Sequence, residues 1–295
     1  MKFGQSLLII LLSVVLATGA AYYISIARQS GSIGATTKET RLEQIKRTGV
    51  IRCGYVNWPP FTQKDPNTGQ MSGISYDLTE EIGRQLKLKI EWTGEIATGS
   101  MLADLNMGRY DMICSPWGMT PGRAREADFP MPIFYLPIYL YVRNDDTRFD
   151  NGFEPANDPG VTFAVMDGEF SSIGAYELFP ASTKVSIPQL LNGADLFMAV
   201  ATKKADALIQ DPYAFVDYNA ANPGILRPAG NKPLRLLAVS MPIPGNEPAL
   251  KATLDTTIAY LHDSGFIDKM LKKYDSKARI FRLAKPYTEN TGANP

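Results

Sequence analysis

Apolar residues recur along this chain in two rhythms, and their alternation predicts the architecture. Leu78, Ile82 and Leu86 fall at i, i+4 and i+8, which places them on one helical face, while Ser75 and Asp77 suit that helix's first turn. Residues 88–92 then alternate apolar and polar, as a half-buried strand does. Upstream, residues 41–47 read as a short helix and Val50–Tyr55 as a strand, separated by Gly49. Residues 98–107 form an amphipathic run that stops at Gly108, the usual place for a glycine just past a helix, and residues 111–114 follow as a short buried strand. Strand, helix, strand, helix, strand implies a mostly parallel sheet covered by helices.

The pattern then breaks and starts again. Residues 131–143 are apolar but punctuated by prolines, too proline-rich for a helix and long enough to pass between two bodies. Beyond them, residues 161–165 read as a strand, 171–178 as a helix start, 185–187 as a strand, 189–203 as a helix and 206–209 as a strand. Two stretches resemble each other: a helix, Gly108-Arg-Tyr-Asp111, a strand and a polar loop, then a helix, Lys203-Lys-Ala-Asp206, a strand and a polar loop. The first loop carries Arg123 and the second Asp211. A further extended segment, 234–239, precedes a long helical region, 247–273, with Leu250, Leu254, Ile258 and Leu261 on one stripe and a break at Gly265. His262 lies one residue past that stripe and reads as a partly exposed helix residue.

The N-terminal region has a different character. Between Lys2 and Arg28 only Phe3 to Ala27 intervene, all uncharged, with an apolar core from Leu7 to Leu16 and small residues from Ala17 to Ala21. Small residues after a short apolar core predict a cleaved signal peptide, yet the run continues to Ile26, about the 20 residues a membrane span needs, so an anchor at 7–26 also fits. Either way the chain is expected to be exported, to the periplasm, with residues 1–28 as signal or anchor and 29–40 as a flexible linker. The tail 288–295 is expected to be disordered.

Composition narrows the chemistry. With 45% apolar and 20% charged residues in 295, the chain is globular and large enough for two domains. Thirty basic and thirty acidic residues cancel, so nothing in the overall charge points to nucleic acid. One histidine and two cysteines, Cys53 and Cys114, are too few for a Cys/His metal site, and no metal or other cofactor is expected. Two buried thiols are the favoured reading of the cysteines; a disulfide stays open in an exported protein. A loop leaving the carboxyl end of a strand is where an open α/β sheet binds ligands, so Arg123 reads as an anion hook, or alternatively as a solvated surface arginine.

Several motifs, in this order and spacing, now fall into line: Gly54 with Pro59-Pro60-Phe61, Gly69 with Gly73-Ile-Ser-Tyr-Asp77, Gly108-Arg-Tyr-Asp111, Thr120-Pro121-Gly122-Arg123, Asp128-Phe129-Pro130, Asp206-Ala and Asp211, and Asp263-Ser-Gly265. The series resembles bacterial extracellular solute-binding proteins for polar amino acids and covers roughly residues 41–280. What the resemblance implies is a two-lobed Venus-flytrap fold, each lobe a mostly parallel sheet flanked by helices. Residues 41–135 and 234–287 would form lobe one, 136–233 lobe two, and two crossover strands would join them. It also implies capture of an amino acid or related carboxylate between the lobes by a monomer, and its delivery to the membrane permease of an ABC transporter. Arg123, helped by Thr120 and the backbone at Gly118, would take the carboxylate, and Asp211 the ammonium. Tyr55 and Trp58 would wall the side-chain pocket. Phe61 would wall it with them, although taken alone Phe61 reads as core.

The loop Met166-Asp-Gly-Glu-Phe-Ser-Ser172 departs from the small Gly/Thr/Ser turn of such proteins, and Pro116-Trp117-Gly118 is bulkier than their usual small residues. Glu169, Phe170 and Ser171 therefore join the candidate ligand-binding residues, and acids at 167 and 169 would favour a cationic ligand unless they are plain surface acids. Two other functions fit the same fold. A dehydratase of the cyclohexadienyl or arogenate type would need an acid in the cleft, for which Glu169 is the candidate, whereas the binding reading assigns no catalytic residue. A sensor module would need the N-terminal segment left uncleaved.

Overall fold

The computed structural model describes residues 18–22, 39–188, 193–275 and 282–283. Contacts separate residues 1–40 from a body that begins at Arg41. Residues 18–22 are helical. The remainder of segment 7–26, the expected linker up to residue 38 and the tail 288–295 lie outside the described residues. No helix among the described residues is long and apolar enough to cross a membrane.

The body opens with α1 (Arg41–Thr48) and β1 (Val50–Tyr55), then a short hairpin of β2 (Gln63–Lys64) and β3 (Met71–Ser72). Gly73 turns the hairpin into α2 (Ile74–Leu86). Its φ is 120° and a Cβ there would lie 2.3 Å from the Phe61 carbonyl oxygen, so no other residue fits without moving backbone. In α2, Leu78 and Ile82 are buried and Leu86 packs partly buried against the core, as the period requires. β4 (Lys89–Glu95), α3 (Met101–Asn106) and β5 (Met112–Ile113) follow, and β4 and β5 flank β1 in a three-stranded parallel sheet.

β6 (Trp117–Gly118), the single turn α4 (Pro121–Ala124) and β7 (Ala127–Asp128) lead to β8 (Phe134–Arg143), the longest strand among the described residues. Next come β9 (Thr162–Val165), α5 (Phe170–Leu178), β10 (Thr183–Ser186), α6 (Ala194–Ala201), β11 (Ala207–Gln210), α7 (Pro212–Ala221) and β12 (Leu226–Pro228). The chain returns through β13 (Arg235–Ser240) and β14 (Ile243–Pro244) to α8 (Pro248–Asp263) and α9 (Phe266–Tyr274). Of the helix expected at 189–203, residues 189–192 lie outside the described residues. The long C-terminal helix is two helices, because Gly265 takes a left-handed φ of 73° between them.

A mostly parallel second sheet was expected; the observed one is mixed. β10, β9 and β11 run parallel, and β8 adds antiparallel to β11. β8 changes partners along its length. Its first half, Phe134 to Ile138, pairs with β13, and its second half, Tyr139 to Val142, pairs with β11. One continuous strand thus belongs to two neighbourhoods, which is how the proline-punctuated segment earns its length.

The two similar stretches seen in the sequence are built alike. Gly108 and Lys203 both take positive φ, 76° and 64°, just past α3 and α6. Three residues on, each aspartate grips the neighbouring strand. The Asp111 N–H donates to the Arg52 carbonyl (2.8 Å) while its carboxylate accepts from the Arg52 N–H (2.9 Å). Asp206 does the same with Thr162, at 2.7 and 2.9 Å. Each carboxylate also holds two arginines: Arg41 and Arg52 at 3.2 and 2.8 Å on Asp111, Arg143 and Arg148 at 3.2 and 2.6 Å on Asp206.

Cys53 and Cys114 form a disulfide, which overturns the preference for separate thiols. The reason is register. Cys53 lies opposite Met112 across the β1–β5 pairing, and Cys114, two residues on, points to the same face. Closing a loop of 61 residues stabilises the fold by roughly 4 kcal/mol in the chain-entropy account.

Asp111→Asn removes the charge that compensates two arginines at a buried site, so it is expected to destabilise the body by about 3 kcal/mol, read as a lower urea midpoint at unchanged slope. Lys203→Gly, relieving a left-handed lysine, is expected to stabilise it by up to about 1 kcal/mol in the same measurement.

Candidate functional site

The loops leaving the carboxyl ends of β1, β4 and β5 face those leaving β9 and β11. Between them lies a cavity of about 770 Å³. Trp58, Glu95 and Trp117 line it from the first set, and Glu169, Gln210 and Asp217 from the second set and α7. This is where open α/β sheets place ligands, because the strand ends leave backbone and side chains converging without a covering layer.

Arg123 stands beside the cavity. Thr120 caps α4, accepting from the Arg123 N–H (3.3 Å), and Pro121 sets the helical φ at the first position, so the side chain leaves this turn in a fixed direction. Only 8% of Arg123 is exposed. One terminal nitrogen donates to the Gly118 carbonyl (2.9 Å), the other to the Gly168 carbonyl (2.7 Å), and the guanidinium lies 4.5 Å from the Trp117 ring centre. A guanidinium has five N–H donors, so these two bonds orient the fork and leave donors for an anion. Burial lowers its pKa to about 10, opposed by the nearby Glu169 carboxylate, and it stays charged at neutral pH. A Cβ at Gly118 would lie 2.5 Å from Leu237 Cδ2 and 3.4 Å from the Arg123 terminal nitrogen, so a side chain there would force Leu237 to move.

Asp211 caps α7 from the opposite side. Its Oδ1 accepts from the N–H groups of Tyr213 (2.8 Å) and Ala214 (3.3 Å). Its Oδ2 is buried and has no hydrogen-bond partner among the described residues, in a residue only 1% exposed. Burial pushes its pKa up to about 6 against those backbone hydrogen bonds, with Asp217 adding to the rise. Glu169 opens α5 without capping it. Its carboxyl is deep among protein atoms although the residue is half-exposed to the cavity, and burial raises its pKa, opposed by Arg123 and assisted by Asp211. Glu169 is therefore within electrostatic reach of both Arg123 and Asp211.

The other expected residues divide. Trp58 lines the cavity and packs on Phe61, itself fully buried core. Tyr55 is 3% exposed against Trp92 and does not reach the cavity lining. Phe170 is buried beneath Arg235. Ser171 Oγ accepts from the Met166 N–H (3.1 Å) and so braces the 166–169 loop. His262 rests its ring nitrogen 3.2 Å from the Pro132 carbonyl, far from any role in this site. Sequence reading missed Glu95 and Asp217. Glu95 was recoverable as the last residue of a parallel strand. Asp217 needed α7 itself, on which Ala214, Asp217, Tyr218 and Ala221 share a face, whereas residues 211–213 read only as a loop.

Residues 51–277 match the family model of bacterial extracellular solute-binding proteins, family 3, and the chain belongs to that family. Its fold is the two-lobed one of these proteins. A probable ABC transporter extracellular-binding protein of Bacillus subtilis (strain 168) is 27% identical over 137 residues, 45% of this chain and 47% of that protein, so the match spans under half of that relative's length. A probable amino-acid ABC transporter-binding protein of Haemophilus influenzae is 23% identical over 217 residues, 72% of this chain and 76% of the relative. The crystal structure of an ancestral amino acid-binding protein, a precursor of cyclohexadienyl dehydratase, superposes with a TM-score of 0.67 at 25% identity, covering 80% of this chain and 99% of the other.

The raised Asp211 has a thermodynamic consequence. An acid whose folded pKa lies near 6 rather than 3.8 binds more protons folded than unfolded between those values, so its contribution to stability falls as pH rises from about 4 to about 6. The rise corresponds to about 3 kcal/mol against the ionised form. Without ligand, Asp211→Asn, which keeps the capping oxygen but buries an amide, is expected to raise stability at pH 7 by about 1–2 kcal/mol, and the gain to vanish towards pH 4. Paired thermal melts from pH 4 to 7.5 check both parts.

Proposed function

We propose that this protein captures a free amino acid between its lobes outside the cytoplasmic membrane and delivers it to an ABC transporter permease. The single observation that carries this is the presence of both a fixed guanidinium, Arg123, and a buried carboxylate oxygen, Asp211 Oδ2, that has no hydrogen-bond partner among the described residues. A zwitterion matches both. Its carboxylate takes the remaining donors of Arg123, next to the first turn of α5, which Glu169 leaves uncapped and which therefore favours an anion. Its ammonium takes Asp211 Oδ2. The two helix ends are thus complementary: α5 awaits a negative charge, while α7 already holds one and has an acceptor to spare.

Capture then drives closure. Arg123 lies in the expected lobe one, residues 41–135, and Asp211 in the expected lobe two, 136–233, with β8 and β13 as the crossings and 234–287 completing lobe one. Charge-assisted hydrogen bonds contribute about 1.5–3 kcal/mol each. A ligand that makes both sets only when the lobes meet has the differential affinity that shifts a hinge equilibrium. Export to the periplasm is supported by the family and by the disulfide, which persists in oxidising compartments. The protein acts in this reading as a monomeric binder, with no catalytic residue and no cofactor.

Thermal unfolding of the purified protein against the common L-amino acids, polyamines and prephenate-type compounds tests the reading, since a ligand bound only by the folded state raises its stability. A subset of amino acids is expected to shift the midpoint, and Arg123→Ala to weaken that subset at least about 100-fold with the far-ultraviolet spectrum intact. Unchanged affinity in Arg123→Ala contradicts the anion site; a shift with consumption of prephenate-type compounds would make Glu169 a proton donor and the protein a dehydratase.

A further inference from the structure

We propose that Tyr213 is a positioning residue that latches the lobes: it holds the first turn of α7, with Asp211 at its head, against lobe one through a contact that needs no ligand. This goes beyond the amino-acid reading, because it concerns closure of the protein by itself. It rests on the lobe boundaries used above, in which α7 belongs to lobe two, and Phe61 and α9 to lobe one. Tyr213 is the second residue of α7, after Pro212 has set the helical φ. Its N–H donates to Asp211 Oδ1 (2.8 Å), and its hydroxyl donates to the Tyr274 carbonyl (3.0 Å), 61 residues on in the chain. One residue thus grips the capping carboxylate with its backbone and the opposite lobe with its side chain.

Tyr274 is the last residue of α9, and the final carbonyls of a helix have no donor within it and carry the negative end of its dipole. A hydroxyl arriving from outside satisfies that carbonyl. Burial raises the Tyr213 pKa to about 12, with Asp275 and Asp211 adding to the rise, so the hydroxyl keeps the proton it donates across the neutral range. The ring crosses between the lobes as well. It meets Phe61 edge-on with centroids 6.0 Å apart, and Phe61 in turn packs on Trp58 at 4.8 Å and stacks on Phe134, the first residue of β8, at 6.2 Å. Tyr213 is therefore seated in an aromatic group built from lobe one and the start of a crossing strand. Arg123 makes a second contact of this kind, from lobe one to the Gly168 carbonyl of lobe two (2.7 Å). Arg123 is assigned to the ligand, whereas the Tyr213 hydroxyl is committed to Tyr274, so it can be removed without touching the residues assigned to the ligand. A neutral hydroxyl-to-carbonyl bond contributes a modest factor, enough to bias a hinge and weak enough to let it open.

Pulsed electron spin resonance on the ligand-free protein tests this. Thr93→Cys and Val216→Cys carry thioether-linked spin labels at exposed positions beside the cavity-lining Glu95 and Asp217, while the two native cysteines are joined in a disulfide and take no label. With Tyr213 intact, the distance distribution is expected to be dominated by one short population. Tyr213→Phe keeps the ring and the backbone bond to Asp211, and is expected to raise the ratio of long to short distances about three- to tenfold with the far-ultraviolet spectrum unchanged. Tyr213→Ala, which also removes the ring, is expected to raise it further. A tyrosine with a merely structural role would lower the urea midpoint and leave the distances alone. Unchanged distances in both variants, or a distribution with Tyr213 intact as broad as that of Tyr213→Ala, overturn the inference. Adding an equimolar mixture of the twenty common L-amino acids to Tyr213→Phe separates this from the function proposed above. Return of the short population supports both; no return leaves the latch standing while the amino-acid reading fails.

Discussion

A carboxylate buried with one oxygen unsatisfied is expensive, and the site is organised around that cost. Asp211 Oδ1 accepts from the first turn of α7, while Oδ2 meets no donor among the described residues. Burial accordingly raises the group's pKa to about 6. A protein under selection for stability alone would replace such an acid or give it a partner. Keeping it makes sense when the missing donor arrives with a ligand, and the only strong donor that a free amino acid offers there is its ammonium.

The opposite charge is handled differently. Arg123 is also buried, but its terminal nitrogens are tied to the carbonyls of Gly118 and Gly168 and its face rests on Trp117. The guanidinium is thus held in one orientation, and in the proposed role little rotamer entropy would be lost on binding. Behind both charges lies the same local device. A helix ends in a left-handed residue, an aspartate three residues later locks the neighbouring strand through its amide and its carboxylate, and a short strand delivers a loop to the cleft. Asp111 and Asp206 are the rigid footings, and the loops beyond them carry the chemistry. That separation lets the loops differ in charge while the scaffold repeats.

Much of this was legible in residues. The period of Leu78, Ile82 and Leu86, the stop at Gly108 and the proline-rich run before Arg143 placed α2, α3 and β8, because helical period, glycine conformation and proline geometry are local. The echo of Gly108-Arg-Tyr-Asp111 in Lys203-Lys-Ala-Asp206 was visible as a pattern, but its meaning, a carboxylate on a neighbouring strand's amide, needed the sheet. Register hid the rest. Cys53 and Cys114 meet only because β5 pairs beside β1, and the mixed second sheet arises because β8 switches partners at Ile138. Glu95 and Asp217 were hidden for a related reason: each lies on an element whose neighbours across the cleft are about seventy or more residues away in the chain. Arg123, Glu169 and Asp211 could be nominated from the sequence because strand-end loops are local features. That Ser171 braces its own loop and Tyr55 is packed against Trp92 depended on side-chain placement.

The central claim is that Asp211 receives the ligand's α-ammonium, and one thermodynamic cycle addresses it most directly. The tightest-binding L-amino acid and its des-amino analogue, which keeps the carboxylate and side chain, are titrated calorimetrically into the wild-type protein and into Asp211→Asn. If the assignment holds, the substitution weakens the amino acid about 100-fold and the analogue less than about threefold, a coupling of about 2 kcal/mol between residue and ammonium. Equal losses for the two ligands would mean that Asp211 only caps α7 and that the ammonium is held elsewhere.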